Sequence, residues 1–223
     1  MFSSSNFYYN LFMKQNFPEQ IPIFPLSGVI YFPNTNLPLN IFEERYLQLV
    51  NDCMKNNKLM GMVQSKNDGN EVYDIGCLGK INGFQKTDDG RIIIRLTGIT
   101  RFEIIKEISN TKLYREFKVQ YNKFYKDLED EKLQVIKEEK LKILLKKIRF
   151  FFKKKGLFLN WKDFEQLGQM QQINTISMIA PFSNEEKQKL LETVGLNEKN
   201  KTLSEIVEFY LHDKYSNEKI PLQ

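Results

Sequence analysis

The predominant period of the hydrophobic pattern changes near residue 127 of this chain. Before this point, apolar and polar residues alternate over short stretches, as at Ile92, Ile94 and Leu96, which is typical of half-buried antiparallel strands. After it, apolar residues recur every three or four positions, as they do in amphipathic helices. The sequence therefore predicts an α+β protein, in which a small curled or closed β-sheet is followed by a compact helical bundle.

Turn signals divide the first part into strands. The segment Asn67 to Asn70 predicts the turn of a hairpin, and Asp88-Asp89-Gly90 predicts a second, stronger turn. Two separate strands are expected beyond this second turn, one from Arg91 and a further one from Gly98. Together these signals indicate a sheet of several short strands.

The segment Ile21 to Tyr46 contains four prolines among paired aromatic and aliphatic residues. Because each proline fixes φ and lacks a backbone donor, we expect short extended pieces broken by turns and packed on a core. At the end of the segment, Asn40 and Glu43 have the spacing of a capping box. A helix is predicted to begin there, with Phe42 and Tyr46 on its apolar stripe.

Helix boundaries in the second part follow from glycine, proline and capping residues. A long helix is expected to end at Gly156, and a later one must stop before Pro181. Ser183 and Glu186 predict a capping box at the start of the next helix, which Gly195 can end. The apolar stripe of the long helix comprises Leu141, Leu144, Leu145, Ile148, Phe151 and Phe152.

The proline-containing segment resembles the opening of the Lon substrate-binding (Lon N-terminal) domain. Asn40 and Glu44 stand where that family commonly has histidine and proline. Gly98 and Arg101-Phe102 also match its glycine-x-x-arginine-phenylalanine signature. The matching residues of the opening are Pro22, Phe24-Pro25-Leu26, Phe32-Pro33, Pro38-Leu39, Ile41-Phe42-Glu43 and Arg45-Tyr46.

The resemblance implies a domain organisation. It indicates a PUA-like antiparallel β pseudobarrel over residues 17–126, followed by a helical bundle domain over 127–215. Residues 1–16 are expected to be a disordered extension, with Met13 as a hypothetical native start, and residues 216–223 a frayed tail. It further implies a stand-alone Lon-like protein, because 223 residues leave no room for the ATPase and peptidase domains of Lon.

Composition predicts a soluble protein in a reducing compartment. The chain is 41% hydrophobic, has a net charge of +5 that rests mainly on lysine, and contains two cysteines in apolar contexts. These features favour the cytoplasm, and no apolar stretch has the roughly 20 residues needed to span a bilayer. Residues 1–12 do not form a secretory signal, although their serine-rich, acid-free composition leaves an organellar transit peptide open.

Motifs for catalysis, nucleotides and metals are missing from the sequence. Gly79-Lys80 is the nearest approach to a phosphate-binding loop, but Asp74 stands at its first glycine position and Ile81 at its Ser or Thr position. The sole histidine, His212, lies near a predicted helix end, and no glycine-x-serine-x-glycine motif occurs. We therefore expect no enzymatic activity, no cofactor and no metal.

The function implied by the resemblance is binding of unfolded or exposed apolar polypeptide segments, in protein quality control or as an adaptor for a separate protease or ATPase. The proline-stiffened segment could present apolar side chains at little ordering cost. An alternative is that these side chains only close the core. The candidate polypeptide-binding residues are Phe24, Leu26, Val29, Tyr31, Phe32, Arg45 and Tyr46.

RNA binding is a second candidate function, because PUA-like folds often bind RNA and residues 140–155 contain eight basic residues and no acidic one. The competing interpretation is an ordinary solvated helix face, since the aromatic residues of this stretch fall on the apolar stripe. The candidate RNA-binding residues are Lys142, Lys146, Lys147, Arg149, Lys153 and Lys154.

Overall fold

The computed structural model describes residues 17–66, 71–129 and 134–212. The predicted turn at Asn67 to Asn70, the N-terminal extension and the C-terminal tail lie outside these residues. Contacts divide the described chain into two compact units. Unit 1 comprises residues 17–66, 71–129 and 181–192, and unit 2 comprises residues 134–180 and 193–212.

All strands of the structure belong to unit 1 and form one six-stranded sheet. The strands are β1 Gln20–Leu26, β2 Asn36–Ile41, β3 Leu59–Ser65, β4 Val72–Lys86, β5 Ile92–Ile108 and β6 Glu116–Gln120. The helices are α1 Glu44–Lys55, α2 Glu138–Lys154, α3 Trp161–Phe164, α4 Gln169–Ile179, α5 Asn184–Glu192 and α6 Leu196–His212, with a 3-10 helix at Asn122–Leu128. The α+β class predicted from the sequence is confirmed.

The sheet closes on itself as a small barrel. Its order is β2-β5-β4-β3-β1-β6, and β6 also pairs with β5, so five strands form a ring and β2 extends from β5. The pairing of β1 with β3, with Ile23 opposite Gly61, is parallel, whereas the other pairings are antiparallel. Closure leaves β2 as the edge strand of the sheet.

Strand β5 differs from the prediction of two strands beginning at Arg91 and Gly98, because it runs unbroken from Ile92 to Ile108. The prediction was wrong since a strand that bends at bulges can pass Gly98 without ending. Its pairing register shifts between Ile104 and Lys106, and it pairs with β2 and β4 near its start and β6 near its end. The predicted alternation is confirmed, since Ile92, Ile94 and Leu96 are all buried.

Phe102 lies at the centre of the barrel core, where glycines make room for its ring. A Cβ at Gly61 or Gly76 would lie only 2.9 or 2.6 Å from this ring. Burial of such a side chain contributes about 1.5–3 kcal/mol to folding. The residues packed around Phe102 are Ile21, Ile23, Val63, Leu78, Phe117, Val119 and Tyr121.

Helix α1 begins later than the sequence predicted. Asn40 lies in β2 opposite Ile93 and so cannot cap a helix, and the N-cap position is Glu43, whose side chain makes no capping hydrogen bond. Phe42 therefore precedes the helix and is exposed instead of belonging to its apolar stripe. The pairing of β2 with β5 overrides the local capping signal.

Helix α5 packs with the sheet of unit 1, although strands and helices of both units precede it in the described part of the chain. Its predicted capping box is confirmed, since the Ser183 amide donates to Glu186 Oε2 at 2.8 Å and the Glu186 amide donates to Ser183 Oγ at 3.2 Å. Gln64 Nε2 donates to the Asn184 carbonyl at 2.8 Å, and Gln188 Nε2 donates to the Ile75 carbonyl at 3.2 Å. Because these bonds hold α5 on the sheet, it interrupts the helical domain predicted for residues 127–215.

Unit 2 contains helices α2, α3, α4 and α6. Leu144, Ile148 and Phe151 of the predicted apolar stripe are buried. Gly156, at φ +68°, follows the end of α2, and α4 ends before Pro181, as the sequence predicted. Among the described residues, no helix has the length and apolar character needed to cross a membrane.

Candidate functional site

The segment from β1 to α1 is held in place by backbone contacts to β5. The Asn34 amide donates to the Gly98 carbonyl at 3.1 Å, and the Thr35 hydroxyl donates to the Phe32 carbonyl at 2.6 Å. A Cβ at Gly98 would lie 2.1 Å from the Phe32 carbonyl oxygen, so only glycine fits there. This close approach fixes the backbone at Phe32 against β5.

Most of the predicted polypeptide-binding residues lie in the core. Tyr31 and Phe32 are 1% and 0% exposed, and Phe24 and Tyr46 are also buried, with ring centroids 4.2 Å apart. Buried rings cannot contact a ligand in this conformation, so the structure favours the core-closing interpretation for these four residues. Their assignment to a binding site stays a prediction.

The three remaining predicted residues are accessible. Leu26 and Val29 are half-buried, and Arg45 is exposed. The Arg45 guanidinium lies 4.5 Å from the centre of the Tyr46 ring and donates to Glu43 Oε2 at 2.7 Å. Arg45 is thus held in a defined position beside the start of α1.

Sequence reasoning missed an apolar surface on the part of the sheet formed by β2, the start of β5 and the end of β4. Asn40 lies opposite Ile93, and Phe42 is two residues beyond Asn40, so we expect Phe42 to be a diagonal neighbour of Ile93 at roughly 7–8 Å. Phe42 is 65% exposed and Ile93 is 43% exposed. The run Ile92-Ile93-Ile94 was the available signal, because alternation must turn its middle residue away from the core.

The opposite face of the same strands is also incompletely covered. Leu39 and Phe84 lie on either side of the buried Ile94, and both are partly exposed, as is Leu37. Clustered apolar exposure of this kind marks binding surfaces more often than single exposed residues do. We define the apolar ribbon as Phe42 and Ile93, because Leu37, Leu39 and Phe84 lie on the other face of the sheet.

The apolar ribbon is suited to side-chain contacts more than to added strand pairing. β2 pairs only with β5 and is therefore an edge strand. Pro38, in the middle of β2, has no N–H group to donate to another strand. A ligand would therefore be held mainly by apolar contacts to the ribbon.

Unit 1 also contains a polar groove of about 530 Å³ near the end of α1. Its charged groups are already paired, since Lys112 Nζ lies 2.8 Å from Glu116 Oε1 and the Tyr114 hydroxyl donates to Asp52 Oδ2 at 3.0 Å. Burial raises the pKa of the Cys53 thiol in this groove to about 12. The thiol is protonated at neutral pH and is not a nucleophile.

Three of the six predicted RNA-binding residues of helix α2 are paired with acidic residues from elsewhere in unit 2 or from the first turn of α2. Lys142 pairs with Glu138 at 2.7 Å, and Lys147 pairs with Glu208. Arg149 pairs with Glu165. The exposed Lys146, Lys153 and Lys154 remain, so the continuous basic surface suggested by the sequence is reduced to separate charges.

Histidine, cysteine and acidic side chains are the candidate ligands for a metal ion and the candidate groups for catalysis. Within residues 17–66, 71–129 and 134–212, no three His, Cys, Asp or Glu side chains are grouped as a metal site requires. His212 is exposed at the end of α6. The expectation of no enzymatic activity and no cofactor stays a prediction.

Sequence comparisons identify relatives of this chain. A family model described as the ATP-dependent protease La (LON) substrate-binding domain matches residues 20–208. The chain is 30% identical over 188 residues to a Lon protease of Malacoplasma penetrans, covering 77% of this chain and 23% of that protein. It is 25% identical over 199 residues to a Lon protease of Dictyoglomus thermophilum, covering 83% of this chain and 24% of that protein. The chain thus spans about a quarter of the length of these relatives.

Solved structures with the same fold include two Lon N-terminal domains. The Lon N-terminal domain protein from Xanthomonas campestris has a TM-score of 0.61 at 20% identity, covering 82% of this chain and 96% of that chain. The N-terminal domain of Mycobacterium avium complex Lon protease has a TM-score of 0.63 at 14% identity, covering 85% of this chain and 98% of that chain. These likenesses establish the fold, and with the match over residues 20–208 they show that the chain belongs to the Lon substrate-binding domain family.

Proposed function

We propose that this chain binds exposed apolar segments of other polypeptides and that the apolar ribbon of unit 1 is the main contact surface. The family match supports a substrate-recognition role, because the matched domain is the substrate-binding part of Lon. The observation that carries the choice of surface is the exposure of Phe42, which directly follows β2, and of Ile93 on β5.

Rigidity of the ribbon supports this choice. β5 is paired on both sides along its first half, with β2 and β4, so Ile93 is presented by a fixed backbone. A preorganised surface loses little conformational entropy on binding. Covering an aromatic or aliphatic side chain contributes about 1–2 kcal/mol when the contact is central to an interface. Leu26, Val29 and Arg45 are proposed as additional contacts.

We propose further that the chain acts by binding and leaves any cleavage to another protein. This role would suit protein quality control, with the chain as an adaptor for a separate protease or ATPase. The paired charges and protonated Cys53 thiol of the polar groove are consistent with a binding role.

The test is binding of a fluorescein-labelled, reduced and carboxymethylated polypeptide that cannot fold, measured by fluorescence anisotropy. The double variant Phe42→Ser/Ile93→Ser is expected to raise Kd about tenfold, which corresponds to about 1.4 kcal/mol. Its far-UV circular dichroism and melting temperature should match those of the wild type, because both side chains are exposed.

The matched control is Phe150→Ser/Ile179→Ser, which removes a phenylalanine and an isoleucine of similar exposure from unit 2. This control should bind the unfolded polypeptide like the wild type. Equal weakening in both double variants would show that binding follows overall surface hydrophobicity, and unchanged binding in Phe42→Ser/Ile93→Ser would reject the ribbon.

A further inference from the structure

Exposed apolar side chains lie along helix α2 and in the loop that joins it to α3, all within unit 2. Phe150 lies one turn before the end of α2 and is 60% exposed, and Phe158 in the loop is 93% exposed. Ile143 is also exposed, and it lies on the same side of α2 as Phe150, seven residues earlier. Because the apolar ribbon belongs to unit 1, an inference from these residues does not depend on the proposed function.

Hydrogen bonds hold both ends of the loop that carries Phe158. At its start, the Leu157 amide donates to the Phe152 carbonyl at 2.9 Å and the Gly156 amide donates to the Lys153 carbonyl at 3.2 Å, which is the pattern of a Schellman motif. At its end, Asn160 is the N-cap of α3, and its side chain accepts from the Asp163 amide at 3.4 Å. The Phe158 ring therefore projects from an anchored loop, as an aromatic side chain that inserts into a partner would.

Lysines alternate with these apolar side chains. Lys146 follows Ile143 by three residues and Lys153 follows Phe150 by three, so each lysine neighbours an apolar side chain on the same helix face. Both lysines and Lys154 are exposed, and among the described residues none of the three lies within ion-pair distance of a carboxylate.

Acidic residues are distant from this part of the helix or already paired. Residues 140–162 contain no acidic side chain. Glu138 and Glu139 lie in the first turn of α2, roughly 16 Å along the helix axis from Phe150. Glu165 and Glu208 are paired with Arg149 and Lys147. The surface around the two phenylalanines is therefore positively charged, and its partner should be anionic.

An anionic phospholipid bilayer matches this combination of groups. Phenylalanine rings insert at the boundary between head groups and acyl chains, while a lysine lays its methylene stem along apolar surface and extends its ammonium group to the phosphates. A bilayer also accepts a projecting ring such as that of Phe158 without a preformed pocket. Single-stranded RNA matches less well, because bases stack on aromatic rings and leave the exposed aliphatic side chains of Ile143 and Leu157 without a partner.

We propose that unit 2 binds reversibly to the surface of a bilayer that contains anionic phospholipids. The apolar side chains enter the head-group region, and the lysines contact phosphate and carboxylate groups of the lipids. The membrane-binding surface is defined as Ile143, Lys146, Phe150, Lys153, Lys154 and Phe158.

The test uses the full chain and vesicles of equimolar phosphatidylcholine and phosphatidylserine, with pure phosphatidylcholine vesicles as the uncharged match. Co-sedimentation at low salt should show binding to the mixed vesicles and at least tenfold weaker binding to the uncharged ones, because each lysine near an anionic surface contributes about fivefold. In the variant Phe158→Trp, lipids brominated in their acyl chains should quench the added tryptophan more strongly than they quench Trp161 of the wild type.

Two variants locate the surface. Phe150→Ser/Phe158→Ser should weaken binding to the mixed vesicles at least tenfold, and its melting temperature should match that of the wild type because both rings are exposed. Lys146→Gln/Lys153→Gln/Lys154→Gln should remove most of the preference for vesicles that contain phosphatidylserine.

Each variant has a matched control in unit 1. Phe42→Ser/Ile93→Ser removes two exposed apolar side chains, and Lys80→Gln/Lys86→Gln/Lys106→Gln removes three exposed lysines. Both controls should bind the mixed vesicles like the wild type.

The proposal is overturned by absence of vesicle binding at low salt, by equal binding to the two kinds of vesicle, or by equal weakening in a variant and its control. Competition by soluble glycerophosphoserine would also overturn it, because the site would then recognise a free head group and not a bilayer. Stronger binding to single-stranded RNA than to the mixed vesicles, lost in both the phenylalanine and the lysine variants, would assign the surface to nucleic acid instead.

Discussion

The buried ion pair between Arg101 and Asp127 offers a sharp test of how unit 1 is held together. Arg101 donates from Nε to Asp127 Oδ2 at 2.9 Å and from a terminal nitrogen to Oδ1 at 2.6 Å. Its other terminal nitrogen donates to the Leu191 carbonyl at 2.7 Å. One side chain thereby joins β5, the 3-10 helix and the end of α5.

Removing this arginine should destabilise unit 1 strongly. The side chains of Arg101 and Asp127 are 4% and 8% exposed, so Arg101→Met would leave a buried carboxylate whose remaining donor is the backbone N–H of residue 101. The loss of one partner from a buried pair costs about 3–5 kcal/mol. The Leu191 carbonyl also loses its donor, and we expect α5 to lose protection against hydrogen exchange.

The measurement is urea unfolding followed by far-UV circular dichroism, with hydrogen exchange of β5 and α5 as the local readout. Trp161, the single tryptophan, lies in unit 2, and its fluorescence reports separately on that unit. The double variant Arg101→Met/Asp127→Leu should recover at least about 1 kcal/mol, because no buried charge is left unpaired.

A matched control is available in unit 1. Arg115 donates to both carboxylate oxygens of Glu107 at 2.7 Å, but the two side chains are 32% and 47% exposed. Arg115→Met should therefore cost less than about 1 kcal/mol. Equal losses at Arg101 and Arg115, or strictly additive effects at Arg101 and Asp127, would refute the reasoning from burial.

Three further predictions concern single residues. Tyr31→Phe should stabilise the protein by about 1 kcal/mol in thermal unfolding, because the buried Tyr31 hydroxyl has no hydrogen-bond partner among the residues that the structure describes; a loss of stability would contradict this. Gly98→Ala should cost about 2 kcal/mol or more in urea unfolding through its clash with the Phe32 carbonyl, whereas Gly83→Ala, whose nearest contact would be 3.2 Å, should cost less than half as much. Burial raises the pKa of the Cys53 thiol to about 12, so this thiol ionises at lower pH in the unfolded chain than in the folded one. The free energy of unfolding, measured in urea, should therefore fall as the pH rises from about 9 to 12. The fall should be less steep in Cys53→Ala.

Local patterns in the sequence predicted those elements whose partners are near in the chain. The capping box at Ser183 and Glu186 involves residues three apart, and it formed as expected. The alternation from Ile92 to Leu96 likewise indicated which face is buried. At Asn40 the same type of local signal was wrong, because pairing of β2 with β5 contributes more hydrogen bonds than a single cap.

The candidate site was less predictable because its exposure depends on distant contacts. Tyr31 and Phe32 are apolar residues in a proline-containing segment, and the sequence cannot show that β5 and Gly98 cover them. Phe42 was expected on a helix and is instead exposed before it. The basic stretch of α2 likewise reads as continuous in sequence, whereas Glu165 and Glu208 neutralise part of it from other helices.

The α+β class, the family resemblance and most helix ends could be predicted from local sequence, because periodicity, turn residues and caps act over a few neighbouring positions. Long-range contacts, in contrast, close the sheet through β5 and β6, place α5 on the sheet, and leave Phe42 and Ile93 exposed. These features depend on which distant segments are brought into contact, and burial is a property of those contacts more than of any residue type.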